Sequence, residues 1–423
     1  MAKKKTETSF SILSDALDKI APDGALIDDS PMAKIDEWIP TGCYILNAVI
    51  SGSIFGGVPN RRSLVLSGDE GAGKTFIALS IGRLAQELNY DILYFDSEGS
   101  IDKDFVTRLG VDTSRIRLQP VNTIEEVNFI SAKMIETYED MKSKGQTLPK
   151  ILVVLDSLGN LSSEKEVDDA NEGSNKRDMT KQQAIRKLFR VNGLKFAKFG
   201  IPLVVVAHNY AAIGAYVPTK VVSGGGGILY NASIILELSK KKLEDKEAEQ
   251  KNKENNVDAV KVGVTISVKP IKQRFARPIR AEFHIPFYKK PNPFVGLEKF
   301  VSWDSCGIMR GKALTQKEFS KLDEKEKAKC KEFEGPNNEK LYALSKDTAR
   351  TLVCKHLKGE SPLSDLFTDK IFTKDVLKEL DEKIIKPTFS LPSINSLDDL
   401  AELAEELESE KEIETIIENG EED

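Results

Sequence analysis

Gly68-Asp69-Glu70-Gly71-Ala72-Gly73-Lys74-Thr75 decides how the rest of the chain is read. The stretch fits the pattern of glycine, four residues and Gly-Lys-Ser/Thr. It sits where that pattern has to sit, behind the β-type run Ser63-Leu64-Val65-Leu66 and before the helical run Phe76 to Leu88. Glycines there let successive backbone N–H groups curl around phosphate oxygens with no Cβ in the way, and the helix N-terminus adds partial positive charge. Lys74 is then placed to reach the β and γ phosphates, and the Thr75 hydroxyl to ligate Mg²⁺. The nucleotide-binding stretch is expected to run from Gly68 through Asp69, Glu70, Gly71, Ala72, Gly73, Lys74 and Thr75 to Phe76.

Working outward, Ile92-Leu93-Tyr94-Phe95 reads as a buried strand ending in Asp96-Ser97-Glu98. Arg115 to Gln119 predicts a third strand, and Ile124 to Lys142 a long helix. The apolar run Ile151 to Leu155 closes on Asp156, which leaves that carboxylate at the carboxyl edge of a parallel sheet beside the Mg²⁺ site. A single helix is expected over Met179 to Phe199. The strand Pro202 to Ala207 follows it and ends in His208-Asn209, and a long loop continues to four glycines, Gly224 to Gly227. Strands alternating with helices predict an α/β fold with a mostly parallel twisted sheet flanked by helices.

The 423 residues and 40% hydrophobic content suffice for a sizeable core. No stretch approaches the roughly 20 apolar residues of a membrane span. Met-Ala-Lys-Lys-Lys at the start runs into polar Thr-Glu-Thr, so a cytoplasmic location is expected, and host cytoplasm if the chain is phage-encoded. Cys43, Cys306, Cys330 and Cys354 are scattered, and His208, His284 and His356 complete no zinc spacing. The net charge of −6 hides segregation: Leu397 to Asp423 carries thirteen carboxylates against Lys411 alone, so the remainder is net positive.

Phe10, Leu13, Leu17 and Ile20 share one face of a short N-terminal helix. Docking on a neighbouring protomer and packing on the same domain both account for it. Lys240 to Asn256 is almost wholly charged or amide-bearing and reads as a solvated hairpin insertion. From Met309 to Lys386 the pattern is short, charged and helical. The expected organisation is 1–34 protomer-docking segment, 35–308 ATPase and DNA-binding core, 309–390 small α-rich domain, and 391–423 acidic tail.

The ordered set of motifs resembles the RecA-type recombinases, and within them the phage UvsX-like strand-exchange proteins. It comprises the phosphate loop, Tyr-Phe-Asp-Ser-Glu-Gly at 94–99, Leu-Gly-Val-Asp at 109–112, Leu-Asp-Ser-Leu-Gly-Asn-Leu at 155–161, Val-Ala-His-Asn at 206–209 and Ser-Gly-Gly-Gly-Gly at 223–227. The resemblance implies a RecA-like core, ATP and Mg²⁺ as cofactors, and Glu98 as the general base for the attacking water. Thr75 and Asp156 would hold the metal. Asp102 and Phe105 would contact adenine, although Phe105 serves equally as a core anchor of its helix. His208 would sense the γ-phosphate and pull on the following loop. Lys272 and Arg274 match cations that reach the adjacent subunit's γ-phosphate.

For DNA the resemblance implies contacts from Lys176, Arg177 and Lys181 in one loop and from Tyr216, Lys220, Gly224, Gly225 and Gly226 in another, since a sequence-independent grip needs phosphate contacts and backbone donors. The more acidic half of the first loop, with Glu164, Glu166, Asp168, Asp169 and Glu172, is expected to face away. Partners implied are single-stranded DNA, homologous duplex DNA and further copies of the chain in a helical filament, with single-strand-binding and mediator proteins as additional candidates. The activity implied is DNA-dependent ATP hydrolysis driving homologous pairing and strand exchange. A hexameric replicative helicase and a nucleotide-gated scaffold are the competing readings. The acidic tail is expected to compete with DNA for the basic loops or to bind basic partners, with solubility alone as the alternative.

Overall fold

The computed structural model describes residues 9–21, 24–171, 180–211, 220–222, 226–244, 261–286 and 291–392. Helix α1 (Ser9–Ile20) is followed by β1 (Trp38–Ile39), α2 (Tyr44–Ser51) and β2 (Val58–Pro59). The phosphate-loop unit comes next, β3 (Ser63–Gly68) and α3 (Lys74–Glu87). Then follow β4 (Tyr90–Asp96), α4 (Lys103–Arg108), β5 (Ile116–Pro120), α5 (Ile124–Ser143), β6 (Lys150–Asp156), α6 (Glu164–Asn171), α7 (Thr180–Lys187) and α8 (Gly193–Phe199). Strands β7 (Leu203–Ala211) and β8 (Lys220–Val222) precede α9 (Gly226–Asn231), β9 (Ile234–Glu244), β10 (Lys261–Lys272) and β11 (Ala281–Pro286).

The main sheet has the order β11-β10-β9-β3-β7-β6-β4-β5, with β8 on β7. The pairs among β9, β3, β7, β6, β4 and β5 are parallel, while β10, β11 and β8 join antiparallel. Alternation along these strands splits the core in two, because successive side chains leave a strand on opposite faces. Leu64, Leu66, Ile92, Tyr94, Leu152, Val154, Val204 and Val206 belong to one buried cluster. Val65, Leu93, Phe95, Val153, Leu155, Val205 and Ala207 belong to the other. Covering both faces requires helices on both sides, which explains strands apolar at nearly every position.

Helix α5 starts at a reciprocal cap: Thr123 accepts from Glu126 N, and the Glu126 carboxylate accepts from Thr123 N. The helix expected to be continuous over Met179 to Phe199 is interrupted by a π-helical turn, Leu188–Asn192. There Asn192 Nδ2 donates to Asn128 Oδ1 at 3.0 Å, and Asn128 Nδ2 donates to Ala184 O at 3.0 Å, ordinary lengths for such bonds. Periodicity alone could not show this shift, since it depends on a polar pair from another helix.

Among the described residues nothing covers the apolar face of α1, with Phe10 63%, Leu13 53%, Leu17 50% and Ile20 80% exposed. Region 309–390, expected to be α-rich, instead contains a five-stranded antiparallel sheet. It is made of β12 (Ile308–Thr315), β13 (Cys330–Glu334), β14 (Lys340–Ser345), β15 (Thr351–Cys354) and β16 (Gly359–Pro362), in the order β13-β14-β12-β15-β16. Lysine and glutamate suggest helix by propensity, but here they mark the solvent face of strands whose inner face is Phe333, Ala343 and Val353. The chain then returns to the core through Lys374–Leu380, where helix and sheet side chains such as Ile308, Leu352, Ile371 and Phe372 join the first cluster. Buried Asp381 fastens this return by accepting from Ser53 Oγ at 2.7 Å and from Ile54 N at 2.9 Å.

Candidate functional site

The site lies at the carboxyl end of the parallel strands, where β3, β4, β6 and β7 each deliver a polar group. The loop after β3 needs backbone that only glycine adopts cheaply: Gly71 has φ +68° and Gly73, which opens α3, has φ +78°. A Cβ on Gly73 would stand 2.8 Å from Ile285 Cδ1. The Lys74 ammonium donates to Gly68 O at 2.9 Å and Asp69 O at 2.8 Å. Burial lowers its pKa, partly offset by the charges of Asp156 and Glu98. Lys240, on β9, donates to Glu70 O and so grips the loop from the neighbouring strand.

Asp156 is 2% exposed. Its Oδ2 accepts from Thr75 Oγ1 at 2.7 Å and from the Tyr94 hydroxyl at 2.6 Å, while Oδ1 is buried with no hydrogen-bond partner. Burial raises the Asp156 carboxyl above its ordinary range, and the bonds from Tyr94 and Thr75 pull against that rise. A buried acceptor without a donor costs free energy, so its retention calls for an explanation. A hard cation supplies one. Thr75 and Asp156 offer oxygen ligands of the kind Mg²⁺ prefers, few in number, with phosphate oxygens and water left to complete an octahedron. The sequence-predicted metal pair is therefore brought together, and the donor set fits the ion.

Glu98 sits in the turn that follows β4, two residues past its end at Asp96. Asp96 Oδ1 shapes that turn by accepting from Glu98 N at 3.0 Å and Gly99 N at 2.9 Å. Glu98 Oε1 accepts from Ser157 Oγ at 2.6 Å and lies 3.0 Å from His208 Nε2. Burial pushes Glu98 up, but hydrogen bonds from His208 and Ser157, with the charges of His208 and Lys74, leave its carboxyl below the ordinary range. It is thus ionised near neutral pH, as a base must be. Ser97 ties the strand ends together, donating to Ser157 O at 2.6 Å and accepting from Ser157 N at 3.0 Å.

His208 pairs in register with Gly68, which brings the sensor candidate beside the phosphate loop. Asn209, expected to open a loop, is still in β7, which runs on to Ala211 and pairs with β8, Asn209 with Val222 and Ala211 with Lys220. A continuous strand therefore joins His208 to the segment that carries the second set of DNA candidates. Among those, Lys220 lies on β8 and Gly226 opens α9. Lys181, on α7, has its ammonium 4.0 Å from the Glu166 carboxylate. Lys176, Arg177, Tyr216, Gly224 and Gly225 lie outside the described residues.

Two predicted adenine contacts have local roles. Asp102 caps α4, its carboxylate accepting from Phe105 N at 3.0 Å, and Phe105 packs half-buried against the first core cluster. Lys272 and Arg274 are not near this protomer's phosphate loop. Lys272 pairs with Ile235, which pairs with Val65, so both cations project at the far end of the sheet from Gly68. A register shift at Pro270, which cannot donate to the ladder, precedes them. Lys272 Nζ donates to Leu229 O at 2.8 Å and Tyr230 O at 2.9 Å. Burial and the nearby Arg274 both lower its pKa. Sequence reasoning assigned no role to Tyr94, Ser157 or Lys240. Tyr94 and Ser157 fall inside quoted motifs, but only the fold shows which carboxylate each one meets.

Among the described residues no helix is long and apolar enough to cross a membrane, and no cluster of histidine, cysteine and carboxylate side chains forms a further metal site. The RecA N-terminal domain family matches residues 13–289. A "Recombination and repair protein" of Enterobacteria phage T4 is 29% identical over 209 residues, covering 49% of this chain and 51% of that protein. The chain thus spans about half the length of the phage relative. "Protein RecA" of Helicobacter acinonychis is 28% identical over 290 residues, 66% of this chain and 75% of that protein. "Protein RecA" of Thermus thermophilus is 28% identical over 313 residues, 70% and 83% respectively. With the family match extending over most of the chain and over every strand of the main sheet, the chain belongs to the RecA family.

Proposed function

We propose that this chain is an ATP-dependent DNA recombination and repair protein that coats single-stranded DNA as a helical filament, pairs it with a homologous duplex and exchanges strands. The observation that carries the reading is the contact of His208 Nε2 with Glu98 Oε1 at 3.0 Å, from a strand that continues past His208 to pair with β8. The group proposed to activate water and the segment proposed to hold DNA thereby share one element. The printed names of the relatives, recombination and repair among them, support the same reading.

In this account Lys74 leaves the loop carbonyls for the β and γ phosphates, Thr75 and Asp156 hold Mg²⁺, and Glu98 orients and deprotonates the attacking water. Bound Mg²⁺ supplies positive charge against the phosphate oxygens. His208 reports the γ-phosphate by leaving Glu98, and β7 passes the movement to β8. Lys272 and Arg274, remote from their own loop, act on the nucleotide of the adjacent copy, which makes hydrolysis depend on assembly. The uncovered α1 face docks on a neighbouring copy.

Electron microscopy of the protein with single-stranded DNA, ATP and Mg²⁺ tests this reading. Helical filaments are expected; closed rings, or no ordered assembly, would refute it.

A further inference from the structure

The metal-binding half of the site contains a buried phenol that the mechanism above does not use. Tyr94 is 1% exposed and sits on β4, paired with Val154 on β6. Asp156 lies two residues further along β6 on the same face. The tyrosine ring therefore runs toward the carboxyl edge, and its hydroxyl meets Asp156 Oδ2 at 2.6 Å. Thr75 Oγ1 donates to that same oxygen at 2.7 Å. A carboxylate that merely satisfied two buried hydroxyls could take one on each oxygen. Here both converge on Oδ2, and Oδ1 is buried without a partner.

We propose that Tyr94 is a positioning residue for the metal: it pins Asp156 through Oδ2 so that Oδ1 is presented to Mg²⁺. This rests on the reading of the site as one for Mg²⁺ and nucleotide. Thr75 cannot do the pinning alone, because its hydroxyl oxygen must also turn toward the metal and its position follows α3 and the loop. The Tyr94 hydroxyl is committed to Asp156, and a rigid ring rooted in the central sheet fixes the position of its oxygen. Removing that O–H leaves Asp156 free to rotate about its last torsion, which is broad for a carboxylate. The cost falls on metal binding, while the phosphate loop keeps its own contacts.

The test compares full-length wild type with Tyr94→Phe, which keeps the ring. Binding of a fluorescent ADP derivative is measured across a Mg²⁺ titration and again in EDTA, and bound Mn²⁺ is counted by electron paramagnetic resonance in place of Mg²⁺. The half-saturating Mg²⁺ concentration should rise about tenfold, the equivalent of one hydrogen bond to a charged acceptor, with affinity in EDTA held within about twofold. Unchanged Mg²⁺ dependence would overturn the proposal. So would a parallel loss with and without metal, which marks a packing role. If Tyr94→Phe does not fold, Tyr94→Met, which fills most of the volume without a hydroxyl, takes its place. Failure of both to fold would also overturn the proposal, since the phenol would then hold the strand. A wild type whose nucleotide binding ignores Mg²⁺ would instead sink the reading of the site itself.

Discussion

Replacing Asp156 by asparagine is expected to make the nucleotide-free protein more stable and Mg²⁺-dependent nucleotide binding worse. The carboxylate is almost fully buried, with two donors on Oδ2 and none on Oδ1. Its charge is therefore held away from water with half of its acceptors unused, and burial raises its pKa. Asparagine keeps the shape and an oxygen for Tyr94 and Thr75, and removes the charge. An unpartnered polar atom still stands where Oδ1 stood, now Nδ2, so the gain comes from the charge alone and is on the order of 1 kcal/mol. That corresponds to a small rise in Tm.

The pH dependence gives the sign. An acid whose folded pKa lies above its unfolded value of 3.8 binds its proton more tightly in the folded state. Wild-type stability from this group is then greatest at low pH and falls as pH rises from 3.8 toward the raised folded value. The advantage of Asp156→Asn should therefore open across that window and stay constant above it. Thermal unfolding in EDTA from pH 3.5 upward, taken at roughly half-unit steps, reads it directly. A variant less stable than wild type at neutral pH would refute the argument, because the two hydrogen bonds to the charge would then outweigh its burial.

Glu98→Gln should lower ATP turnover by about 10²-fold or more with nucleotide binding retained, measured by phosphate release and equilibrium binding. Because the Glu98 carboxyl is depressed, its stabilising share is present above the ordinary glutamate value of 4.5 and lost as pH falls through the lower folded value. His208→Ala should bind nucleotide normally and lose stimulation of turnover by single-stranded DNA; unchanged stimulation would end the sensor role. Arg274→Ala should cost about 10³-fold in turnover, the scale of a charge supplied to another subunit's phosphate, with nucleotide binding by the monomer preserved. Leu17→Asp, on the half-exposed face of α1, should change folding stability by less than about 0.5 kcal/mol and weaken self-association in sedimentation velocity.

Much of this protein is legible in one dimension because the relevant constraints are local. A phosphate loop has to be glycine-rich between a strand and a helix, and parallel strands covered on both faces have to be apolar throughout. Residues 63–68, 90–96 and 150–156 satisfied those conditions in the sequence, so the sheet and the carboxylates at its edge could be named from it. Region 309–390 could not be read this way: a strand with one wet face and many lysines and glutamates resembles a charged helix until its partners are known. Nor could the pairing of Tyr94 with Asp156, or of Ser157 and His208 with Glu98, be read from spacing, since 62, 59 and 110 residues separate them. The sequence by itself determined which chemical groups stand at the strand ends, because strand termination and backbone freedom are properties of neighbouring residues. Tertiary structure alone decided which oxygen each donor meets and which end of the sheet the cations of 272 and 274 occupy, because those depend on strand order and register.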